Sequence, residues 1–380
     1  MLARIDPTLV HGSFAALFGL AVGSFVNVVI HRLPNGGVRA LGGRSACPRC
    51  GAKIAWFDNL PLVSYLALGG RCRACKAPIS ARYPVIELLG AALFVAAWWA
   101  SGAEPSYSPL VVVRWVVLSG LLALSVIDLD LRILPDEITI SGMVLGPVAV
   151  LAVPDLLLPT WSSRLLEAAI EPPRLRAVAL SVAGIAVGAG TVALIRSLGT
   201  RAFSARTDYR SDDAAAGERL DAFLARQRPR RSQAEVRAWI DEGHVEWRRG
   251  GAAIPPKATE RLLAGDVVRV THVREAMGFG DVKLQGAIGA FVGPEGSLLV
   301  LALASFAGAV LGVLNLARVS ALVRLRESRR SRRSRIGAWR VARAAGGVIP
   351  FGPFLAGGAA GVLLAREPIT SLVTDLWPVP

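Results

Sequence analysis

The sequence predicts an all-α polytopic membrane protein of about eight transmembrane helices, interrupted by a small cytoplasmic module and by an inserted α+β soluble domain. Three observations predict it. Of 380 residues, 53% are hydrophobic and only 19% charged, more apolar surface than a water-soluble domain can bury. Eight separate stretches are apolar, most of them over the roughly 20 residues that a bilayer-crossing helix needs. The formal charge of +15 is uneven, with 35 of the 43 Lys and Arg in three polar stretches. Four cysteines in a chain of this length exclude a small disulfide-stapled fold.

The first apolar stretch, residues 10–30, has no basic segment of any length before it and reaches Asn27 and His31 without a small-residue cleavage pattern. It predicts an anchor, not a cleavable signal peptide. Further spans are predicted at residues 84–100, 110–127, 138–158 and 177–198, then at 282–292, 297–316 and 348–364. Residues 282–292 are too short to cross alone, and the Gly293-Pro294-Glu295-Gly296 turn after them predicts a half-depth helix or one extended at its start. Residues 31–83 hold nine Lys and Arg against one acid, Asp58; residues 196–274 hold sixteen against eleven acids; residues 318–343 hold ten arginines against Glu327. With eight spans and an outside N-terminus these three stretches share the cytoplasmic side, both termini lie outside, and residues 159–176, with three arginines and two acids, face the other way. The arginines of 318–343 then read as a solvated segment attracted to anionic lipid. The organisation expected is a first transmembrane helix over 1–30, a cytoplasmic module over 31–83, helices two to five over 84–198, an inserted domain over 199–274 and helices six to eight over 275–380.

Cys47-Pro-Arg-Cys50 and Cys72-Arg-Ala-Cys75 are two CxxC pairs separated by twenty-one residues. Each such knuckle aims two thiolates at one tetrahedral ion, and two complete a closed four-sulfur shell of the kind structural zinc fills. Arg49, Lys53, Arg71, Arg73 and Lys76 are placed to lower the thiol pKa values and offset the charge of the site. Disulfides are disfavoured by the cytoplasmic placement.

Asp128, Asp130 and Asp136 lie where the third span ends, and Gly278-Phe279-Gly280-Asp281 opens the sixth. Carboxylates at a bilayer boundary are costly unless paired or functional, and two at close range share one proton. Such a dyad activates water, one carboxylate accepting its proton while the other polarises a carbonyl. Gly278 and Gly280 would allow close backbone approach. Taken alone, Asp281 reads first as a helix N-cap on a glycine turn, ahead of a catalytic role, and Asp130 and Asp136 read as caps of the fourth span or water-facing groups.

These motifs, with residues 23–34 (GSFVNVVIHRLP), 59–65 (NLPLVSY), 82–88 (RYPVIEL) and 349–354 (IPFGPF), together resemble the type IV prepilin leader peptidases, in order and spacing across nearly the whole chain. The resemblance implies an aspartic endopeptidase of the GxGD kind in the bacterial inner membrane, its catalytic face cytoplasmic. It would remove the basic leader from type IV prepilins and type II secretion pseudopilins, after a Gly and before a usually aromatic residue. It implies Asp128 and Asp281 as the catalytic pair, with Gly278, Gly280 and Lys283 in the supporting motif, and Cys47, Cys50, Cys72 and Cys75 as ligands of Zn2+. It also implies N-methylation of the new terminus from S-adenosylmethionine. Glu87 is a candidate for a supporting role, against a plain reading as a carboxylate favoured by a helix N-terminus.

Residues 199–274 depart from that family. Leu220, Phe223 and Leu224 recur at helical spacing, as do Val236, Trp239 and Ile240 behind a Ser232 N-cap, and a short hairpin follows. That order resembles the ribosomal-S-four-type RNA-binding domain, with Arg219, Arg230, Arg231 and Arg237 as candidate RNA contacts through phosphates; the net charge of +5 over residues 196–274 and the core-like Phe223 and Trp239 favour a scaffold for protein contact or spacing. Two rival functions use the same scaffold, a membrane-tethered RNA-binding protein and a proton-coupled transporter; acids at span ends argue against the second.

Overall fold

A computed structural model describes residues 6–103, 106–157, 160–227, 232–272, 277–327, 350–365 and 368–369. The chain forms two compact units, Met1–Thr191 with Phe279–Pro380, and Val192–Gly278.

The first unit is helical. Helix α1 (Pro7–Gly36) starts with Pro7, whose missing N–H costs nothing at a helix start, and with the Asp6 carboxylate accepting from the Thr8 amide. Short α2 (Val63–Ala67) lies in the cysteine module, and α3 (Arg82–Trp99) packs against α1 through glycines: a Cβ on Gly90 would meet the Gly19 carbonyl at 2.6 Å. Small residues let two helices approach closely where lipid provides no hydrophobic drive between them. Next come α4 (Pro109–Leu131), α5 (Asp136–Ala152), α6 (Trp161–Glu167) and α7 (Pro173–Phe203). Glycine contact recurs between Gly184 of α7 and Gly289 of α10 (Phe279–Glu327). Helix α11 (Gly352–Leu364) follows among the described residues.

Each of the eight predicted apolar stretches falls on a helix, two of them sharing α10. Four helices among the described residues are long and apolar enough to cross a bilayer: α1, α4, α7 and Phe279–Ala321 of α10. The stretch predicted over 138–158 is shorter than expected, because α5 stops at Ala152 and a 3-10 turn, Pro154–Leu156, follows. The turn expected over 293–296 contracts to one residue: Gly293, at φ 76°, breaks α10, and Pro294 belongs to the next helical limb. Only a residue without Cβ tolerates that conformation cheaply. Short α6 falls within the loop expected over 159–176. The arginine run lies outside the described residues from 328 onward.

The second unit holds a sheet of order β1-β4-β2-β3, all antiparallel, from β1 (Ala205–Arg210), β2 (Val245–Arg249), β3 (Ala252–Ile254) and β4 (Val267–His272). Helices α8 (Leu220–Gln227) and α9 (Gln233–Asp241) supply Phe223, Leu224, Val236 and Ile240 to a core shared with Trp247, Val268 and Val270. Ser232 caps α9 as its sequence predicts, in a capping box with Glu235. Strand β1 is an addition to the expected helix, helix and hairpin; its polar stretch ARTDYR carries no apolar alternation, and its pairing with β4, Asp208 opposite Arg269, comes from tertiary partners.

Asp221 is fully buried and held by Arg237 (2.7 Å) and Arg219 (2.9 Å). Asp266, also buried, takes Arg249 (3.0 Å) and the Leu263 amide (2.9 Å). Burial pushes both carboxyls up, but these partners outweigh it and hold both below the usual carboxylate range. A depressed folded-state pKa contributes stability above the unfolded value of about 3.9, and the contribution is lost as pH falls through the folded values. Amide-exchange protection of α8 and α9 is therefore expected to collapse below about pH 4. Asp221→Asn should lower it at pH 7 by about 2 kcal/mol, the scale of a charged hydrogen bond, and flatten the acid dependence; an unchanged profile would remove Asp221 from that role.

Candidate functional site

The cysteine module is built from two similar turns. In the first, the Cys47 amide donates to Ala52 O and the Gly51 amide to Cys47 O, both at 2.9 Å; in the second, the Cys72 amide donates to Ala77 O (2.9 Å) and the Lys76 amide to Cys72 O (3.0 Å). The residue after each CxxC has positive φ, 70° at Gly51 and 58° at Lys76. The turns bring all four Sγ atoms within 4.8 Å of one another, with no disulfide, the spacing that a tetrahedral ion bridges. Cys47 is lowered to about 6 by the amides of Cys50 and Arg49. Against the Ala52 amide, which favours its thiolate, the Cys75 and Cys47 side chains push Cys50 up to about 11. The cation effect expected from sequence is thus carried, at Cys47, by backbone dipoles. Arg73 is engaged elsewhere, in a two-point pair with Asp58 (2.6 and 2.8 Å).

Glu87 lies in the second turn of α3 and is buried, so the helix-terminus reading does not describe it. Its Oε2 accepts the Leu62 amide at 2.9 Å. Leu62 has φ 58°, a conformation unfavourable for a residue with Cβ. Glu87 therefore fastens the module's central turn to α3.

The aspartates are carried by α4 and α10. Asp128, buried at 6% exposure, sits one turn before α4 ends, where Arg132 turns left-handed (φ 56°) and donates its amide to the Asp128 carbonyl (3.0 Å). Asp281, at 9% exposure, is the third residue of α10, so it is not the N-cap. The turn after Asp128 meets the first turn of α10 twice. Leu134 packs on Gly280, where a Cβ would lie 3.1 Å from the leucine Cβ, and Lys283 pairs with Asp136. Asp130 is engaged by Arg82 (2.5 Å), which ties α4 to α3. Of the supporting glycines, Gly280 makes this contact, whereas Gly278 is exposed ahead of the helix.

One residue of the site was quoted in sequence without a role. The Gly352 amide donates to Asp128 Oδ2 at 3.0 Å, and a Cβ on Gly352 would come within 2.5 Å of that oxygen. A glycine between Phe351 and Pro353 was the available signal, but the sequence does not say which acid it faces. Gly352→Ala is expected to cut any activity of Asp128 by about 10²-fold or more, the scale on which misplacement of a reacting group acts, while the protein still inserts; activity near wild type, measured on the purified variant, would detach Gly352 from the site.

Of the candidate RNA contacts, Arg219 and Arg237 hold buried Asp221, and Arg230 and Arg231 lie outside the described residues.

The arrangement defines a class: a helical membrane protein with buried acids on two helices whose flanking motifs meet, and with a four-cysteine cluster. Residues 17–101 match the Bacterial Peptidase A24 N-terminal domain, and residues 261–313 match the Type IV leader peptidase family. A protein of Myxococcus xanthus is 47% identical over 133 residues, 35% of this chain and 38% of its own length. One of Pseudomonas aeruginosa is 43% identical over 155 residues, covering 35% and 52%. One of Burkholderia pseudomallei is 28% identical over 393 residues, covering 97% and 89%. All three are named prepilin leader peptidase/N-methyltransferase. The chain thus spans about half or less of the length of the first two relatives, and most of the third. No solved structure matches. Two stretches of the chain thus match the type IV leader peptidase family and its N-terminal domain, and these relatives carry that family's name.

Proposed function

We propose that the protein is a membrane aspartic endopeptidase that removes the leader of type IV prepilins and pseudopilins, with Asp128 and Asp281 as its catalytic pair. The observation that carries this reading is the junction of the two acid-bearing motifs: Leu134 against Gly280 and Asp136 with Lys283, while the Gly352 amide orients Asp128. In the reaction, the ionised carboxylate takes a proton from water as its oxygen attacks the scissile carbonyl. The protonated partner gives its proton to the carbonyl oxygen, and collapse of the tetrahedral intermediate breaks the C–N bond as the leaving amine is protonated. Gly352 N–H fixes Oδ2 of Asp128 and so the plane in which that carboxyl meets water.

In this reading eight helices cross or enter the bacterial inner membrane and place both aspartates at its cytoplasmic face, as the cation distribution favours. Zinc would be held by Cys47, Cys50, Cys72 and Cys75, which fit it; a closed four-thiolate shell supplies structure, not a catalytic position. Methylation of the new N-terminus is proposed from the relatives' names and the sequence resemblance. Arg219 and Arg237 of the inserted domain hold Asp221, and this reading assigns that domain no RNA contact. Incubating the purified protein with a prepilin and labelled S-adenosylmethionine tests the two activities separately, by leader loss and by label on the product. An uncleaved prepilin in lipid would sink the peptidase reading.

A further inference from the structure

The cysteine module exposes an apolar strip that its own fold does not cover. Within eleven residues, Trp56 (77% exposed), Phe57, Leu60, Val63 and Leu66 (76%) all face outward. The strip is held in shape. Ser64 Oγ donates to Phe57 O (2.7 Å), Arg73 lies over the Phe57 ring (5.5 Å), and Glu87 holds the strained turn at Leu62. We infer that this strip is an interfacial anchor that lies in the headgroup layer of an anionic bilayer leaflet.

Two features select lipid as the occupant. Nine Lys and Arg stand in residues 31–83 against the single acid Asp58, and that acid is consumed by Arg73. An exposed strip of Trp, Phe and Leu in a segment rich in Lys and Arg is the composition of surfaces that bind anionic interfaces. The strip is also fastened to an apolar helix. Its Glu87 fastening lies in α3, whose first turns expose the apolar Val85 and Leu88. The inference does not depend on the peptidase reading.

The test uses the full-length protein in nanodiscs, with lipids brominated close to the headgroup and with Trp56→Phe as reference. Trp56 is largely exposed, so its replacement leaves the module's packing in place. The difference in emission between wild type and Trp56→Phe reports Trp56 alone. In discs containing phosphatidylglycerol that difference should be blue-shifted and lose most of its intensity to the bromines, with a smaller loss in purely phosphatidylcholine discs. A water-like, unquenched difference in both lipids overturns the inference. Equal quenching in both overturns its anionic part. A shift that occurs only when a prepilin is added assigns the strip to substrate and overturns it as well.

Discussion

Asp128→Asn and Asp281→Asn are each expected to abolish leader removal, by about 10²-fold to 10⁴-fold or more, the range that acid–base groups contribute. Asparagine keeps the shape of each side chain and can still accept the Gly352 amide at position 128, so neither variant has a packing reason to misfold. What it loses is the proton: an amide can neither take one from water nor carry one to a carbonyl oxygen. On the proposed mechanism the two carboxyls act as a pair, so the double variant should be no worse than either single one, since groups that work as a unit are not additive. Zinc content and membrane insertion should match wild type in all three. Leader removal persisting in one single variant while the other is dead would reduce the pair to one acid.

Removal of one of the cysteines proposed to hold zinc is the second large effect. Cys72→Ser is expected to take bound zinc from one equivalent to none. Metal binding to a four-thiolate site is itself folding free energy, of order 10 kcal/mol in isolated zinc fingers. The loss here should be smaller, because Glu87 and the Asp58–Arg73 pair hold the module by independent contacts. The module should open at the knuckles, seen as faster amide exchange at Gly51 and Lys76, while α1 and α4 keep their protection. A chelator should reproduce the effect in the wild type. Slow exchange at both amides in the metal-free protein would show that the turns stand without an ion.

Much of this site is legible in sequence, for a physical reason. A CxxC pair is a local geometry, so two of them announce a four-thiolate cluster without any knowledge of the fold. An acid at the end of an apolar run is conspicuous because burial of charge is expensive. Periodicity and capping residues likewise write α8 and α9 into the inserted stretch. Other features depend on partners distant in the chain. Glu87 reads as an ordinary helix-start acid until Leu62 is found against it, twenty-five residues earlier. Arg219 and Arg237 read as phosphate contacts until Asp221 claims them, and β1 has no strand pattern until β4 pairs with it.

By itself, then, the sequence determined the chemistry available: apolar helices, four thiols at knuckle spacing, and acids placed at helix ends. These follow from composition and short-range spacing, which one chain segment contains whole. Only the tertiary structure decided which of those groups meet. Leu134 reaches Gly280, and the Gly352 amide reaches Asp128 across 224 residues, because a missing Cβ leaves room there for a close contact. Such a fit is a property of two surfaces at once, and no single stretch of sequence encodes both.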